Sequence, residues 1–388
     1  MKAQPFSRQH RARGVSLVEL LVAVVIGMAL TLALTTVMIR HDSGKRRLIS
    51  SNDMSMTAAY LSYTLDSAIR SAGSGFVQSS PQTFGCVLRA ARSGAQILPR
   101  TAAFPAPFDA LPQQVRLAPL VIHAGAGADG SDVLAVATGS AGVGETPMSI
   151  RTVPGSGTQL HLTNTLGLRG NDLVLVAEDS LGCVVQQVDS AFVGGTEQEL
   201  DFGGTYAKST IDGVQLVNFS LSDHAVVALL GNTTGNLPMM QFLGVGDNAT
   251  LFSYDVLRLD GSDAVQPLAA GVADLRALYG VDTDANGVID QWIAPTTAGY
   301  TAAELTAFSA AAQQRLMTIM AVRVGMVLRS DRIEREDVAP ASLTLFGDLP
   351  TAVQYTHDIA TSDRRQRYQS VEFTVPLRNV MLGARNPP

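Results

Sequence analysis

Apolar and polar positions divide the chain into three regimes. From Val15 to Ile39 the residues are apolar or small, and the single charge is Glu19. About 20 apolar residues cross the hydrocarbon of a bilayer as a helix, so this run predicts a transmembrane segment over residues 15–39. From Met54 the apolar positions recur at three- and four-residue spacing: Met54, Ala58, Leu61, Leu65, Ala68 and Ala72. That period predicts one buried face of an amphipathic helix. No proline occurs between Pro5 and Pro81, so both segments read as one rod from Val15 to about Ala72, roughly 85 Å at about 1.5 Å per residue. Gly27 and Gly44 are its weak points, and Gly73-Ser74-Gly75 ends it. Between the halves lie Arg40, His41, Lys45, Arg46 and Arg47, which suit a membrane surface or a solvated helical turn.

Past Gly75 the pattern becomes short apolar runs separated by Gly, Pro, Asn and Asp, the punctuation of antiparallel β structure. Candidate strands cover 115–123, 132–137, 173–177, 183–188, 214–221, 225–230, 251–259, 272–281, 316–329 and 371–377. Residues 301–314 are Ala-rich and predict a short helix; residues 85–112, rich in Pro, Gly and Ala, predict a loop. The fold class is therefore α+β, a long N-terminal helix packed on a large antiparallel β-sheet body. The chain divides into a basic leader (1–14), the transmembrane half of the helix (15–39), its amphipathic half (40–72) and an exported β-rich body (73–388).

Hydrophobic residues make up 46% of the chain and charged residues 16%, which describes a folding chain rather than a disordered one. The formal charge is −6 and falls to −10 without the leader, whose charges are Lys2, Arg8, Arg11 and Arg13. Phosphate backbones are bound by Lys and Arg, so a body this acidic argues against direct nucleic-acid binding. Cys86 and Cys183 lie 97 positions apart and outside any CxxC or Cys/His spacing. In an exported domain one disulfide is the natural reading, with two buried thiols as the alternative.

The leader does not fit a secretory signal peptide, whose apolar core spans roughly 7 to 15 residues before a small-x-small cleavage site. Glu19 needs its own explanation. A carboxylate inside a membrane costs about 2.5 to 3.5 kcal/mol on insertion scales, and the run holds no Lys, Arg or His. Cleavage after Gly14 would create an amine on Val15, near this carboxylate in its own or a neighbouring chain. The alternative is that Glu19 snorkels to the interface.

In the body, Asp282-Thr283-Asp284-Ala285-Asn286-Gly287-Val288-Ile289-Asp290 has the spacing of a calcium loop. Oxygen ligands would come from Asp282, Asp284, Asn286, the Val288 carbonyl and Asp290, with glycine at the sharp turn. Ca²⁺ takes six to eight hard oxygens, which such a loop wraps. The twelfth position, a bidentate Glu in an EF-hand, is Ile293 here, and a polar Asn-Gly hairpin turn is the alternative. Gly125-Ala126-Gly127-Ala128-Asp129-Gly130 matches GxGxxG but precedes a strand pattern, so no helix N-terminus is offered to a phosphate. The six histidines show no metal-ligand spacing and no GxSxG elbow occurs, so the chain reads as a non-enzyme.

The basic leader followed by Gly14-Val15-Ser16-Leu17-Val18-Glu19 and an apolar helix resembles the class III signal of type IV pilins and type II secretion pseudopilins. The resemblance implies that a prepilin peptidase cuts after Gly14, that Val15 is methylated, and that Glu19 assists subunit docking. Val15 stands where that family most often has Phe. Further segments resemble the PilW family of minor pilins: Arg70-Ser71-Ala72-Gly73, Gly85-Cys86, Gly130-Ser131-Asp132-Val133-Leu134, Ala273-Asp274-Leu275-Arg276, Tyr279 to Asp284, Ala321-Val322-Arg323-Val324 with Leu328-Arg329-Ser330, and Phe373-Thr374-Val375-Pro376-Leu377-Arg378-Asn379.

That resemblance implies a subunit held in the inner membrane before assembly and at the pilus tip afterwards. It would join other minor pilins and the major pilin in a priming complex and work with a PilY-type adhesin. Cellular output could be twitching, DNA uptake or adhesion. A J-type minor pseudopilin of type II secretion is the alternative, and a calcium-dependent surface adhesin a third reading.

Overall fold

A computed structural model describes residues 16–139, 146–153, 156–195 and 198–385. The chain is α+β, as its pattern predicts. The backbone is helical from Leu17 to Arg70 and passes Gly27 without a break. Contacts divide the chain into two units, residues 1–53 and 54–388. Within the first, Leu17–Met38 is long and apolar enough to cross a membrane, with a mean hydropathy of 2.6.

In the second unit, the helical face expected from the spacing is the buried one. Leu61, Leu65, Ile69 and Ala72 have no exposed surface and join the main core, while Met56, Tyr60 and Tyr63 face outward. Three sheets complete that core. The first has the order Ala95–Leu98, Leu88–Arg92, Gly182–Gln187, Asp172–Glu178, Val226–Asn232, Met148–Ser149. The second runs Gln266–Ala270, Thr250–Asp255, Met239–Gly246, Val133–Thr138, Leu120–His123 and is antiparallel throughout. The third runs Gln291–Ile293, Val272–Val281, Ile319–Arg329, Tyr368–Pro376, also antiparallel.

The first sheet is buried on both faces. Leu173, Leu175 and Ala177 enter the main core, while Val174 and Val176 enter a second core with Leu160, Leu162 and Phe219. Period-two alternation thus appears in space between two apolar environments, and the sequence reads as an unbroken apolar run.

Several expectations are corrected. Residues 85–112 are not all loop, since Leu88–Arg92 and Ala95–Leu98 are strands. Leu88–Arg92 pairs parallel with Gly182–Gln187, so the first sheet is mixed. Residues 216–221 form a 3₁₀ helix rather than a strand, which places Leu216 and Phe219, three apart, into the second core. The strand expected from 316 begins at Ile319, after a helix Ala310–Thr318. The Ala-rich helix is split in two because Thr301 and Ser309 each cap a new start.

Candidate functional site: the anchoring helix and its clasps

The C-terminal part of the long helix belongs to the second unit, and the groups that fix its end there define the candidate site. Its C-terminal carbonyls are the chemical problem, because the last turn lacks intrahelical donors. Gly73 takes φ +83°, the left-handed conformation of a helix stop, and its N–H donates to the Ala137 carbonyl at 2.8 Å. The Thr138 hydroxyl donates to the Ser71 carbonyl at 2.6 Å. The Asn379 side-chain amide donates to the Ser71 and Ala72 carbonyls at 3.0 and 3.1 Å. The helix end is therefore tied to a central sheet strand and to the far end of the chain.

The other PilW-like motifs also meet one another. Asp132 receives the backbone N–H groups of Gly125 and Ala277, each at 3.0 Å, and donates its own N–H to the Leu275 carbonyl. Arg276 lies 3.6 Å from Asp132, 2.9 Å from Asp274 and 3.8 Å above the Tyr355 ring. His357 Nδ1 is 2.8 Å from Asp274. Asp132 and Asp274 are buried. Burial pushes the Asp132 carboxyl up to about 6, against the pull of its two backbone donors and Arg276. This network joins the second sheet to the third and to the hairpin strand Tyr355–Asp358. Nearby, the buried Tyr279 hydroxyl accepts the Ile122 N–H at 2.7 Å, closing an edge of the second sheet. Arg323 binds Asp348 at 2.6 and 2.9 Å and Glu372 at 2.8 Å.

Cys86 and Cys183 are bonded to each other, with Cα atoms 5.7 Å apart. Cys183 also pairs with Leu88 across the parallel strands. Gly85, at φ +82°, leaves no room for a side chain: a Cβ there would lie 2.8 Å from the Ala307 carbonyl oxygen.

Glu19 lies in the first turn of the helix and is exposed. Gly14 and Val15 lie outside the described residues. The Asp282 loop gathers Asp282, Asp284 and Asp290, whose carboxylate oxygens lie within 4.8 Å of one another. Asp282 is buried and accepts the Asn286 and Gly287 N–H groups at 3.2 and 2.7 Å. Asp290 accepts from the Thr283 hydroxyl and N–H, which hold its carboxyl below the usual range. Asn286 Oδ1 accepts the Val288 N–H at 2.7 Å, and the Val288 side chain is exposed.

Residues 9–35 match the prokaryotic N-terminal methylation motif. Residues 243–379 match the family described as Type IV Pilus-assembly protein W, and the match ends on Asn379, the residue that closes the helix end. Over those residues the chain is similar to the PilW family. That match, with an N-terminal methylation motif ahead of an apolar helix, supports a minor pilin of the type IV pilus. No curated protein and no solved structure matches it.

The PilW motifs were visible in sequence, but their meetings were not. Asp132 and Arg276 are separated by 144 positions and Asn379 and Ser71 by 308, with no local periodicity to connect them. Thr138, Tyr355 and His357 fall outside the motifs and were missed.

Proposed function

We propose that this chain is a PilW-type minor pilin that acts in a tip or priming complex initiating assembly of the type IV pilus. It would associate there with other minor pilins and the major pilin, and present a PilY-type adhesin. The observation that carries this reading is the pairing of a methylation motif with a PilW match on one chain. In it, prepilin peptidase cuts after Gly14, Val15 becomes the methylated first residue, and Glu19 docks against a neighbouring subunit as the helix leaves the inner membrane. A carboxylate with no cation in its own apolar run supports the docking role, because the new amine would supply the missing charge.

The Asp282 loop is proposed to hold Ca²⁺ as a local clamp of the turn between Val272–Val281 and Gln291–Ile293. Three converging carboxylates and the ligand-type spacing support it. A clamp of this kind steadies strands and reads no ligand, which sets it apart from an adhesin that binds through calcium.

Deleting the gene and counting surface pili tests the proposal. Loss of pili, restored by the intact chain, is expected. Normal piliation with lost protein secretion would instead assign the chain to a type II secretion pseudopilus.

A further inference from the structure

A cleft of about 260 Å³ opens in the body between the second sheet, residues 111–118 and residues 303–306, and nothing described so far uses it. Its floor is one face of three adjacent strands. Val121, Ala135 and Phe242 form one cross-strand row, and Ala137 and Met240 form the next. Directly opposed residues share a face, so the two alanines on the central strand sit where a larger side chain would fill the space.

The polar groups of the cleft are biased in sign. No Asp or Glu lines it, although the chain carries −6 overall. Arg116 lines it, donates to the Gly85 carbonyl at 2.8 Å and forms no ion pair among the described residues. His123 also lines it, and its ring has no hydrogen-bond partner among the described residues. Burial lowers the His123 pKa to about 4, so the ring is neutral at pH 7 and keeps one N–H to donate. A dry apolar cavity of about 150 Å³ takes benzene; this cleft is larger and has a cation on its wall.

We propose that the cleft binds a small monocarboxylic acid with an aromatic or branched aliphatic body, the body over Ala135 and Ala137 and the carboxylate at Arg116. His123 offers a further donor from the same wall. Shape accounts for the body and charge for the head. An uncharged analogue would keep the first contribution and lose the second.

The test uses the full mature chain in lipid nanodiscs, with phenylacetate as the probe, benzyl alcohol as its uncharged counterpart and empty nanodiscs as the blank. Ligand-observed NMR titration should give saturable phenylacetate binding about tenfold tighter than benzyl alcohol, the scale of one charge-assisted hydrogen bond. Arg116→Gln should erase that preference, and Ala135→Leu should abolish binding of both. Ala137→Val is a second, smaller filler, and the His123 ring resonances of the unaltered chain should shift in step with the titration. The proposal is overturned by no saturable binding, by equal binding of the two probes, by undiminished binding in a folded filler variant, or by His123 resonances that do not move.

Discussion

Arg276→Met should destabilise the body strongly. The guanidinium sits among Asp132, Asp274 and Tyr355, and the two carboxylate side chains are only 5% and 4% exposed. Methionine keeps much of the volume and removes the charge. Breaking a buried ion pair from one side costs about 3 to 5 kcal/mol, because the partners stay buried without compensation. Loss of the cation over the Tyr355 ring adds about 1 kcal/mol, and retained packing offsets part of this. We expect about 4 kcal/mol, which at about 2.1 cal/mol/K per residue lowers the melting temperature of a body this size by roughly 6 °C.

The pH dependence of that loss has a defined sign. Burial holds the folded Asp132 carboxyl at about 6, above the ordinary 3.8 of an exposed aspartate. Its favourable contribution is therefore present below about pH 4 and lost as pH rises through about 6. Without Arg276 the folded value climbs further. The deficit of the variant should then be largest near pH 7 to 8 and shrink toward pH 5, followed by circular dichroism melts at several pH values. A shift below 1 °C, or a deficit that grows on acidification, would refute the reasoning.

Asn379→Ala removes two donors from the helix end and should cost about 1 to 2 kcal/mol in urea unfolding, whereas a surface asparagine changed in the same way should cost almost nothing. Replacing both Cys86 and Cys183 by serine opens a loop of 97 residues, and the chain-entropy argument gives a loss approaching about 4.7 kcal/mol in the same assay. Calcium at ten times its dissociation constant should stabilise the body by about 1.4 kcal/mol, read as a melting shift that Asp284→Asn removes. An identical shift in that variant would show that the ion acts elsewhere.

Local signals carried the helix well and the sheets unevenly. The spacing of Leu61, Leu65 and Ala72 named the buried face because a helix turns its pattern within a few residues. The Asp172–Glu178 and Val226–Asn232 strands were legible as apolar runs for the reason that hid their alternation, burial on both faces. Met239–Gly246, central to the second sheet, was not proposed as a strand: its two glycines weaken the pattern, and its place comes from pairing with Val133–Thr138 about a hundred positions away. Residues 85–112 look like loop because tertiary pairing, not propensity, makes strands there. At the N-terminus, the methylation motif matched over residues 9–35 was legible because its glycine, carboxylate and apolar run adjoin in sequence. Of the clasps that hold the helix end, Asn379 was legible only as part of a separate motif and Thr138 not at all, because hydrogen bonds such as Asn379 to Ser71 form only once the whole body has folded.

The most direct test of the central claim is the mass of the chain in filaments sheared from the cell surface. A subunit of the type IV pilus should appear there with an N-methylated Val15 as its first residue, and a Glu19→Gln chain should be cut at the same place yet be scarce in that fraction. A chain that keeps residues 1–14, or that stays wholly in the membrane fraction of cells that make pili, would contradict the account.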